Sequence, residues 1–366
     1  MRDMSEPQLG SYAPEDITFL LKPVSIAPTG VAEKEAMIQS GRAHYSEMIS
    51  EERRPDERYL EIFEQARGRS RTRIAREICA IALHLRDRIA EGTFDPQVTL
   101  CSLVRAGVPY GVLLHRELVA LGIDSRHYGI SIIRDRGLDE VAMQHVLAER
   151  PALGVLFVDG WTGKGAISRE LRSSWQAITG MQPEMVVLAD PSGHAAISGS
   201  HEDWLIPSGI LGANISGLVS RSILRRDLVG PGDFHGSMPV SHLADIDMSR
   251  DFVDEITSSA KNLRGHVTAV SPDPKFRATL RAAAADCVSQ IARAHGVENL
   301  NRIKPGIAEA TRAVLRRRPD RVFVRSLEDH DLAALVHLCR TDGIDLVVDG
   351  DITFPYRAIT LIKRTS

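Results

Sequence analysis

The sequence predicts an α/β protein with a mainly parallel sheet and a helical N-terminal part, followed by a second, smaller domain of helices and strands. From about residue 97, short apolar runs that end in glycine loops alternate with helix-like segments, which is typical of parallel strands joined by helices. After about residue 265, a long alanine-rich helix opens a second, shorter series of helices and strands. The chain has 366 residues, which is enough for two domains.

The N-terminal part has the pattern of short pieces followed by one amphipathic helix. Pro23, Pro28 and Pro55 interrupt the first 60 residues or so. The apolar residues that follow recur at steps of three or four, which predicts a helix with one buried face: Ile74, Ile78, Ile81, Leu85 and Ile89.

The central elements are predicted from apolar runs and their punctuation. QVTLCSLV (97–104) indicates a buried strand, and the next segment indicates a helix that Pro109 opens and Gly122 closes. Further strands are predicted at RHYGISII, GVLFVD and EMVVLAD, with a helix around 165–178. Parallel sheets bind ligands at the carboxyl ends of their strands, so the loops after Val104 and Val158 are the candidate ligand site.

The C-terminal region begins at the predicted boundary between residues 265 and 266. A helix is predicted over 275–296, and a second one over EDHDLAALVHLCRTDG. The run IDLVVDG then predicts a strand.

Composition excludes several classes of protein. The net charge of −3 does not indicate nucleic-acid binding by the whole chain, and no apolar run approaches the roughly 20 residues of a membrane helix. The N-terminal stretch lacks the apolar core of a secretory signal. The four cysteines stand far apart with no CxxC pair, which argues against a zinc site or a disulfide framework. We therefore expect a soluble cytoplasmic protein without a membrane partner.

The stretch VLFVDGWTGKGAIS (155–168) has the pattern of a phosphate-binding loop, because glycines let backbone N–H groups turn inward and a helix follows. A P-loop needs four residues between its glycines, whereas Gly160 and Gly163 are separated by two. A dinucleotide loop needs a third glycine and an early place in the sheet, and neither is present.

The strand, acid and glycine-rich turn resemble the sugar-phosphate signature of type I phosphoribosyltransferases, which bind phosphoribosyl pyrophosphate (PRPP). The resemblance implies that Asp159 meets the ribose hydroxyls. It also implies that the turn wraps the 5′-phosphate with Thr162, Gly163, Lys164, Gly165 and Ala166. The earlier segment SLVRAGVPYG (102–111) resembles the pyrophosphate loop of that family through Arg105, Ala106 and Gly107. Arg105 and Asp159 are then the expected catalytic residues, and Mg²⁺ is the expected cofactor.

Two features complicate that interpretation. The second acid of the family signature is replaced by Gly160, and Trp161 is bulkier than the usual aliphatic residue. Both loops are also compatible with simple strand-to-helix turns. Between them, residues 133–151 are polar and correspond in the resembling enzymes to a mobile lid, from which Arg134 and Arg136 would reach a pyrophosphate.

Most of residues 1–265 resembles one bacterial family found beside tellurite-resistance genes, in which a phosphoribosyltransferase-like domain precedes a Pelota-like RNA-binding domain. The resemblance is carried by EDITFLLKP, SGRAHYSEMISEE, SLVRAGVPYG, VLFVDGWTGKGAI, DWLIPSGILGANISGLVSRSI and GPGDFHG. It implies a hood over the acceptor, in which Trp204 stacks on a base and His235 acts as a general base. A packed tryptophan and a turn histidine are the alternatives.

The same family is also labelled cysteine protease StiP. A catalytic cysteine should be exposed beside a histidine in an electropositive setting. Cys101 lies in a buried-looking strand, Cys339 on an apolar helix face, and Cys79 and Cys287 in helical segments without a nucleophile motif. All four are predicted to be small core residues.

The C-terminal third resembles the Pelota and kink-turn-binding group of RNA-binding folds, which implies a small α/β/α domain. The resemblance implies contacts with structured RNA at the helix start and along the helix, through Lys304, Gly306, Arg312, Arg316 and Arg317. Residues 301–366 carry twelve Lys and Arg against nine Asp and Glu, so a positive patch suits phosphate contacts. A solvated helix end is the alternative.

The leading functional hypothesis is a Mg²⁺-dependent pentosyltransferase that uses PRPP or a related ribosyl phosphate on a base, nucleoside or RNA. The alternative is a catalytically degenerate PRPP or nucleotide sensor with RNA binding as its output, which Gly160 favours. A cysteine protease is the third possibility.

Overall fold

The computed structural model describes residues 9–363, with only the backbone of Ile352. The first half of the N-terminal stretch in which we predict no secretory signal lies outside the described residues. The helices are α1 Val31–Gln39, α2 Glu57–Ala90, α3 Val108–Ala120, α4 Glu140–Glu149, α5 Ala166–Thr179, α6 Pro207–Ile210, α7 Ser249–Leu263, α8 Pro274–Ala294, α9 Ile307–Arg316, α10 Ala333–Thr341 and α11 Gly350–Thr353. The strands are β1 Thr18–Phe19, β2 Lys22–Pro23, β3 Gln97–Leu103, β4 Asp124–Ile130, β5 Ile132–Ile133, β6 Gly137–Leu138, β7 Val155–Val158, β8 Met185–Ala189, β9 Ile197–Ser200, β10 Gly236–Ser237, β11 Ile303–Pro305, β12 Pro319–Val324, β13 Asp345–Val348 and β14 Ala358–Ile362.

The main sheet has six strands in the order β1-β4-β3-β7-β8-β9, and all of its pairs are parallel. The central strands β3, β7 and β8 consist almost entirely of buried residues, as expected for a sheet covered on both faces. The predicted α/β class with a mainly parallel sheet is confirmed. Its β3 and β7 are neighbours, so the loops that follow them emerge side by side.

Helix α2 is longer than the predicted amphipathic stretch and supplies much of the cover of the sheet. Its N-terminus is capped by Asp56, whose carboxylate accepts a hydrogen bond of 2.7 Å from the backbone N–H of Tyr59. The apolar face that the sequence predicts is buried: Ile74, Ile78, Ile81 and Leu85 all lie in the core. Buried residues recur along the helix from Tyr59 onwards, but the many charged residues of its first half conceal this pattern in the sequence.

Residues 133–151 are not the polar excursion that the sequence suggested. Strands β5 and β6 form an antiparallel hairpin, and α4 follows with Ala142, Met143 and Val146 fully buried against the sheet. The expected lid is therefore wrong for the helical half of the segment, because three apolar residues spaced along one face anchor it. Only the hairpin turn, residues 134–136, projects towards the ligand side of the sheet.

The C-terminal domain is a mixed four-stranded sheet in the order β11-β14-β12-β13, with α8, α9 and α10 packed around it. It docks directly on the first part of the chain. The carboxylate of Asp203 accepts hydrogen bonds from the backbone N–H of Ile307 at 3.0 Å and of Arg357 at 2.7 Å, so it caps the start of α9. Glu35 of α1 forms a bidentate pair with Arg317 at the other end of α9. Helix α9 is thus held at both ends against the first domain.

Among residues 9–363, no helix is both long and apolar enough to cross a membrane.

Candidate functional site

A crevice of about 210 Å³ lies at the carboxyl ends of β3 and β7, beneath α9. One side is formed by residues 103–106 and 159–168, the loops that the sequence singles out. Its remaining walls are Ile132, Arg134, Met185 and Arg221 of the first domain, and Pro305, Glu309, Arg312 and Arg316 of the C-terminal domain. Two strand-end loops and one helix from a different domain therefore converge on a single space.

The two loops abut each other because residue 107 is glycine. A Cβ atom at that position would lie 2.0 Å from the carbonyl oxygen of Val158 and 3.0 Å from Cα of Asp159. A side chain there would force the loops apart. Gly160 packs against the other side of the contact, where a Cβ atom would lie 3.4 Å from the carbonyl oxygen of Ala106. The nearest atom to such a Cβ would be Cε2 of Tyr110, at 3.2 Å, so the glycine that replaces the second acid of the resembling signature is packed mainly against that ring.

The first loop holds its arginine in a buried position. The Arg105 guanidinium donates a hydrogen bond of 3.0 Å to the carbonyl of Val219 and pairs with Glu52, and its Nε is buried without a partner among the described residues. Burial raises the pKa of Glu52, but Arg105 outweighs it and lowers that pKa to about 2. Arg105 is therefore a fixed positive charge at the floor of the crevice, oriented by an acid on the far side.

The second loop is anchored from below by Asp190. The hydroxyl of Thr162 donates a hydrogen bond of 2.5 Å to Asp190, and Ser192 donates one of 2.7 Å to the Thr162 oxygen. Asp190 also accepts from the backbone N–H of His194 at 2.9 Å. Thr162 is therefore used to shape the loop, and its side chain is turned away from the crevice.

The tip of the second loop presents backbone donors. Among the described residues, the backbone N–H groups of Gly163, Lys164 and Gly165 have no hydrogen-bond acceptor, and the free N–H groups at the start of α5 follow them. Residue 165 has to be glycine for two reasons: its φ is +74°, and a Cβ atom there would lie 2.3 Å from Nε2 of His194. A row of unused N–H groups at a helix N-terminus is suited to an anionic oxygen.

The Lys164 side chain leaves the loop and ties it to the C-terminal domain. Its ammonium donates to the carbonyl of Ile303 at 2.8 Å and to that of Leu300. Burial, and then the neighbouring Lys304, lower the pKa of Lys164 to about 6. Lys164 thus acts as a strut between domains in this arrangement.

Asp159 has an unusual environment for a carboxylate. It accepts a hydrogen bond of 2.8 Å from the backbone N–H of Gly160, yet burial raises its pKa to about 7. Perturbed carboxyls in a cleft are typical of functional sites, because such a group is held for its chemistry and not for its stability.

The ceiling of the crevice is cationic. The Arg312 guanidinium lies 4.6 Å from the ring of Trp161 and donates to the carbonyl of Ser208 at 2.8 Å. Burial, and then Arg316, lower the pKa of Arg312 to about 9. Arg316, one turn further on, has neither a hydrogen bond nor an ion pair among the described residues, and burial followed by Arg105 lowers its pKa to about 10. The guanidinium groups of Arg312, Arg316 and Arg105 therefore lie close enough for their charges to act on one another.

The carboxylates of the crevice do not balance these cations. Within residues 9–363, the carboxylates that line it are those of Asp159 and Glu309. Burial raises the pKa of Glu309, but Lys304, which lies 3.4 Å from it, lowers it to about 2. The crevice is therefore net positive, which suits a multiply charged anion. Its guanidinium groups are those of Arg105, Arg134, Arg221, Arg312 and Arg316.

The structure brings together most of the predicted phosphate-binding residues. Arg105, Ala106, Asp159, Arg134 and the second loop line one crevice, and Gly107 lies directly below it. Three predicted lid and hood residues lie elsewhere. Arg136, which was expected to reach a pyrophosphate, borders a neighbouring depression and does not line the crevice. Trp204 is 4% exposed beneath the Arg73 guanidinium, 4.2 Å from its ring, and borders a different depression. His235 contacts Ser131 at 2.7 Å, outside the residues that line the crevice.

The predicted RNA contacts are turned inward. Arg312 and Arg316 line the crevice, Lys304 is buried beside Glu309, and Arg317 is paired with Glu35. Gly306, with φ +91°, starts α9 under Asp203. In this arrangement α9 packs its charged face against the first domain, so these five residues do not form an exposed patch; their contact with RNA stays a prediction.

Several residues of the site carry no local signal in the sequence. Glu52, Arg221 and Glu309 are single charged residues far from both loops, and only the fold brings them to the crevice. Asp203 was likewise missed, although it fixes the start of α9.

All four cysteines are buried, and none is in a disulfide. Burial raises the pKa of Cys79, Cys287 and Cys339 to about 12, and it raises the pKa of Cys101 further still. The prediction that they are core residues is confirmed. Among the described residues, no group of three or more His, Cys, Asp or Glu side chains forms a metal-binding cluster.

Comparisons with known proteins are consistent along the whole chain. Residues 10–257 match the family described as "Tellurite-like stress resistance cysteine protease StiP", and residues 282–364 match the "PELOTA RNA binding domain". A curated relative from Acinetobacter baylyi, described as "Cysteine protease StiP", is 44% identical over 97% of this chain and 94% of its own length.

Solved structures give weaker likenesses. The hypoxanthine phosphoribosyltransferase of Trypanosoma cruzi is 16% identical, with a TM-score of 0.27 over 38% of this chain and 82% of its own. The corresponding enzyme of Leishmania tarentolae, solved in complex with GMP, is 15% identical, with a TM-score of 0.25 over 37% of this chain and 78% of its own.

Proposed function

The chain belongs to the StiP family of tellurite-like stress resistance proteins, with a Pelota RNA-binding domain at its C-terminus, and we propose that its crevice binds PRPP or a related ribosyl phosphate as a pentosyltransferase. This proposal explains why two glycine-containing loops and a cluster of arginines from two domains face one small space.

The observation that carries the proposal is the contact between the loops through Gly107. It places the Arg105 loop and the row of N–H groups at residues 163–165 on the same side of the sheet, with Asp159 between them. PRPP has the same arrangement of charge: a pyrophosphate at C1, ribose hydroxyls in the middle and a phosphate at C5. Each part of the ligand then meets a group suited to it.

The chemistry follows from this placement. In ribosyl transfer, the bond between C1 and the pyrophosphate oxygen breaks, the pyrophosphate leaves with the electron pair, and an acceptor atom forms the new bond to C1. The transition state separates charge between an oxocarbenium-like ribose and the leaving group. Arg105 and Arg316 would stabilise the departing negative charge, and Asp159 would orient the ribose.

The crevice does not fit a protein-held Mg²⁺ ion. Mg²⁺ prefers several oxygen ligands in an octahedron, whereas Asp159 is the one carboxylate here that is not paired with a cation, and the second acid position is Gly160. Any Mg²⁺ would therefore be carried by the pyrophosphate itself, and the proposal requires nothing more of the ion.

The first prediction concerns the ligand. PRPP is expected to stabilise the protein more than ATP does, because its phosphate groups lie at opposite ends of a ribose and match the two separate loops, whereas ATP carries all of its phosphates at one end. At one hundred times its dissociation constant, a ligand adds roughly 2.7 kcal/mol to the free energy of unfolding. A thermal-shift series with PRPP, ribose 5-phosphate and ATP measures this. Stabilisation by ATP but not by PRPP would contradict the proposal.

The relative and the family are both described as a cysteine protease, which suggests a second function, proteolysis by a cysteine. A nucleophilic cysteine needs a depressed pKa and access to substrate, and all four thiols here are buried with raised pKa values. We therefore predict that iodoacetamide at pH 8 labels none of them in the native protein within minutes, although it labels all four after unfolding in guanidinium. Intact-mass measurement decides; rapid modification of one native cysteine would favour the protease.

A ribosyl-phosphate sensor with RNA binding as its output remains the alternative to an enzyme. It is favoured by Gly160, which removes an acid from the ribose site, and by the match of residues 282–364 to an RNA-binding domain. Pyrophosphate release in the presence of bases, nucleosides and RNA separates the two, because a sensor binds PRPP without turnover.

A further inference from the structure

A second, larger depression adjoins the crevice and has no role in the proposed binding of a ribosyl phosphate. This vestibule has a volume of about 820 Å³ and lies between α1 with the segment that follows it, the hairpin turn 134–136, and residues 296–317. It shares Arg134, Arg221 and Arg316 with the crevice, so the two spaces meet at these three guanidinium groups.

The vestibule is strongly positive. Nine of the residues that line it are Lys or Arg, and three are Asp or Glu. Some of the cations are paired, as Arg136 is with Glu47 at 3.6 Å. Others have neither a hydrogen bond nor an ion pair from their side chains to any described residue, namely Arg42 at the outer rim and Arg316 at the inner end. Burial lowers the pKa of Lys34 to about 8, and the positive charge of Arg221 contributes to that shift. Such a field attracts an extended anion more strongly than a single phosphate.

The vestibule also has flat polar surfaces. The rings of His44 and Tyr45 lie 4.5 Å apart in its lining, with the guanidinium of Arg221 5.3 Å from the Tyr45 ring, and the lining also includes the amides of Asn299 and Asn301. Cations that follow a groove, combined with aromatic rings, are the usual features of sites for single-stranded nucleic acid. A duplex presents its phosphates on a wide convex surface and keeps its bases stacked inside, so a recess of about 820 Å³ is too small to enclose it.

We propose that the vestibule binds the end of a single-stranded RNA, with its phosphates on Arg42, Arg136 and Arg302 and its terminal nucleotide at the junction with the crevice. This inference rests on the function proposed for the crevice, because it makes the RNA end the neighbour of the bound ribosyl phosphate. It also reassigns RNA binding from the outer surface of the C-terminal domain to the space between the domains. The inner wall of that space, residues 296–317, belongs to the part that matches the RNA-binding domain.

The test compares two double variants of the full-length protein that carry the same change of charge. Arg42→Glu with Arg136→Glu alters the vestibule, and neither residue lines the crevice. Arg318→Glu with Arg340→Glu alters two exposed arginines of the C-terminal domain that line neither space. Fluorescence anisotropy with a labelled single-stranded RNA of ten nucleotides is measured at several salt concentrations. Duplex RNA, single-stranded DNA of the same sequence and AMP serve as competitors.

The vestibule variant is expected to bind the single strand at least tenfold more weakly, with the salt slope reduced by about 1.4 for two lost phosphate contacts. The control variant should bind like the wild type, and duplex RNA and AMP should compete poorly. Loss of binding in the control variant alone, equal binding of duplex or AMP, or no binding of single-stranded RNA at all would each overturn the proposal. DNA competing as well as RNA would overturn the assignment to RNA.

A parallel thermal shift with PRPP keeps this test separate from that of the crevice. The vestibule variant is expected to retain the stabilisation by PRPP that the wild type shows. If PRPP stabilises neither protein, the function proposed for the crevice fails on its own, whatever the RNA measurements show.

Discussion

Replacing Arg316 by methionine is expected to weaken PRPP binding about a hundredfold without destabilising the free protein. Arg316 has no hydrogen bond or ion pair among the described residues, and burial lowers its pKa to about 10, so its charge costs free energy in the folded state. A ligand that supplies the missing anion recovers that cost. A hydrogen bond to a charged group contributes about 1.5–3 kcal/mol, which corresponds to roughly ten- to hundredfold in affinity, and charge neutralisation adds to it. Methionine keeps the length and the apolar packing of the stem.

Calorimetric titration with PRPP and urea unfolding of the free protein measure the two effects. Arg312→Met is the matched control on the same helix, one turn earlier. Its guanidinium donates to the carbonyl of Ser208 at 2.8 Å and lies 4.6 Å from the ring of Trp161, so its loss should lower the free energy of unfolding by about 1–2 kcal/mol. If Arg316→Met instead unfolds easily and binds PRPP like the wild type, Arg316 is a structural residue and the crevice is not an anion site.

The parts of the fold that the sequence predicts are those with local causes. Strand β3, helix α3, strand β7 and helix α5 are each marked by an apolar run, a proline or a glycine within a few residues, and the structure has them in those places. Both loops of the crevice follow such runs, so their convergence could be inferred from the rule for parallel sheets.

What the sequence does not reveal depends on contacts between distant segments. The cations of α9 have the same pattern whether they face solvent or another domain, and the docking of α9 is decided by Asp203 and Glu35, which lie far away in the chain. The burial of Trp204 beneath Arg73 likewise depends on a contact between segments that are distant in the sequence. In α4, the polar residues around Ala142, Met143 and Val146 conceal a face that the sheet covers completely.

The fit between the two domains also bears on the order of events at the site. Lys164, Arg312 and Arg316 all connect the crevice to the C-terminal domain, through hydrogen bonds or by lining the same wall. A ligand in the crevice therefore contacts both domains at once, and its binding is thermodynamically linked to their docking. An RNA end in the vestibule would lie across the same boundary.

Replacing Asp159 by asparagine is expected to stabilise the protein at alkaline pH while it weakens PRPP binding. Burial raises the pKa of Asp159 to about 7, whereas an unfolded aspartate titrates near 3.9. Below about pH 4 both states hold the proton and the carboxyl carries no penalty. Between about pH 4 and 7 the unfolded state releases the proton first, so stability falls as the pH rises, and above about pH 7 the penalty is complete.

Asparagine cannot ionise, and its oxygen still accepts the hydrogen bond from Gly160, so the variant should escape that decline. We expect it to be more stable than the wild type by on the order of 2 kcal/mol at pH 8 and by much less at pH 5. Urea unfolding at both pH values measures this, and calorimetric titration with PRPP should show at least tenfold weaker binding because the ribose hydroxyls lose a charged acceptor.

Asp203→Asn is the matched control. Burial raises the pKa of Asp203 to about 6, but its carboxylate accepts hydrogen bonds from two backbone N–H groups, so asparagine there should destabilise the protein at both pH values. A functional carboxyl is thus separated from a structural one by the sign of the change in stability. If Asp159→Asn loses stability as Asp203→Asn does and still binds PRPP, Asp159 belongs to the scaffold of the crevice and not to its chemistry.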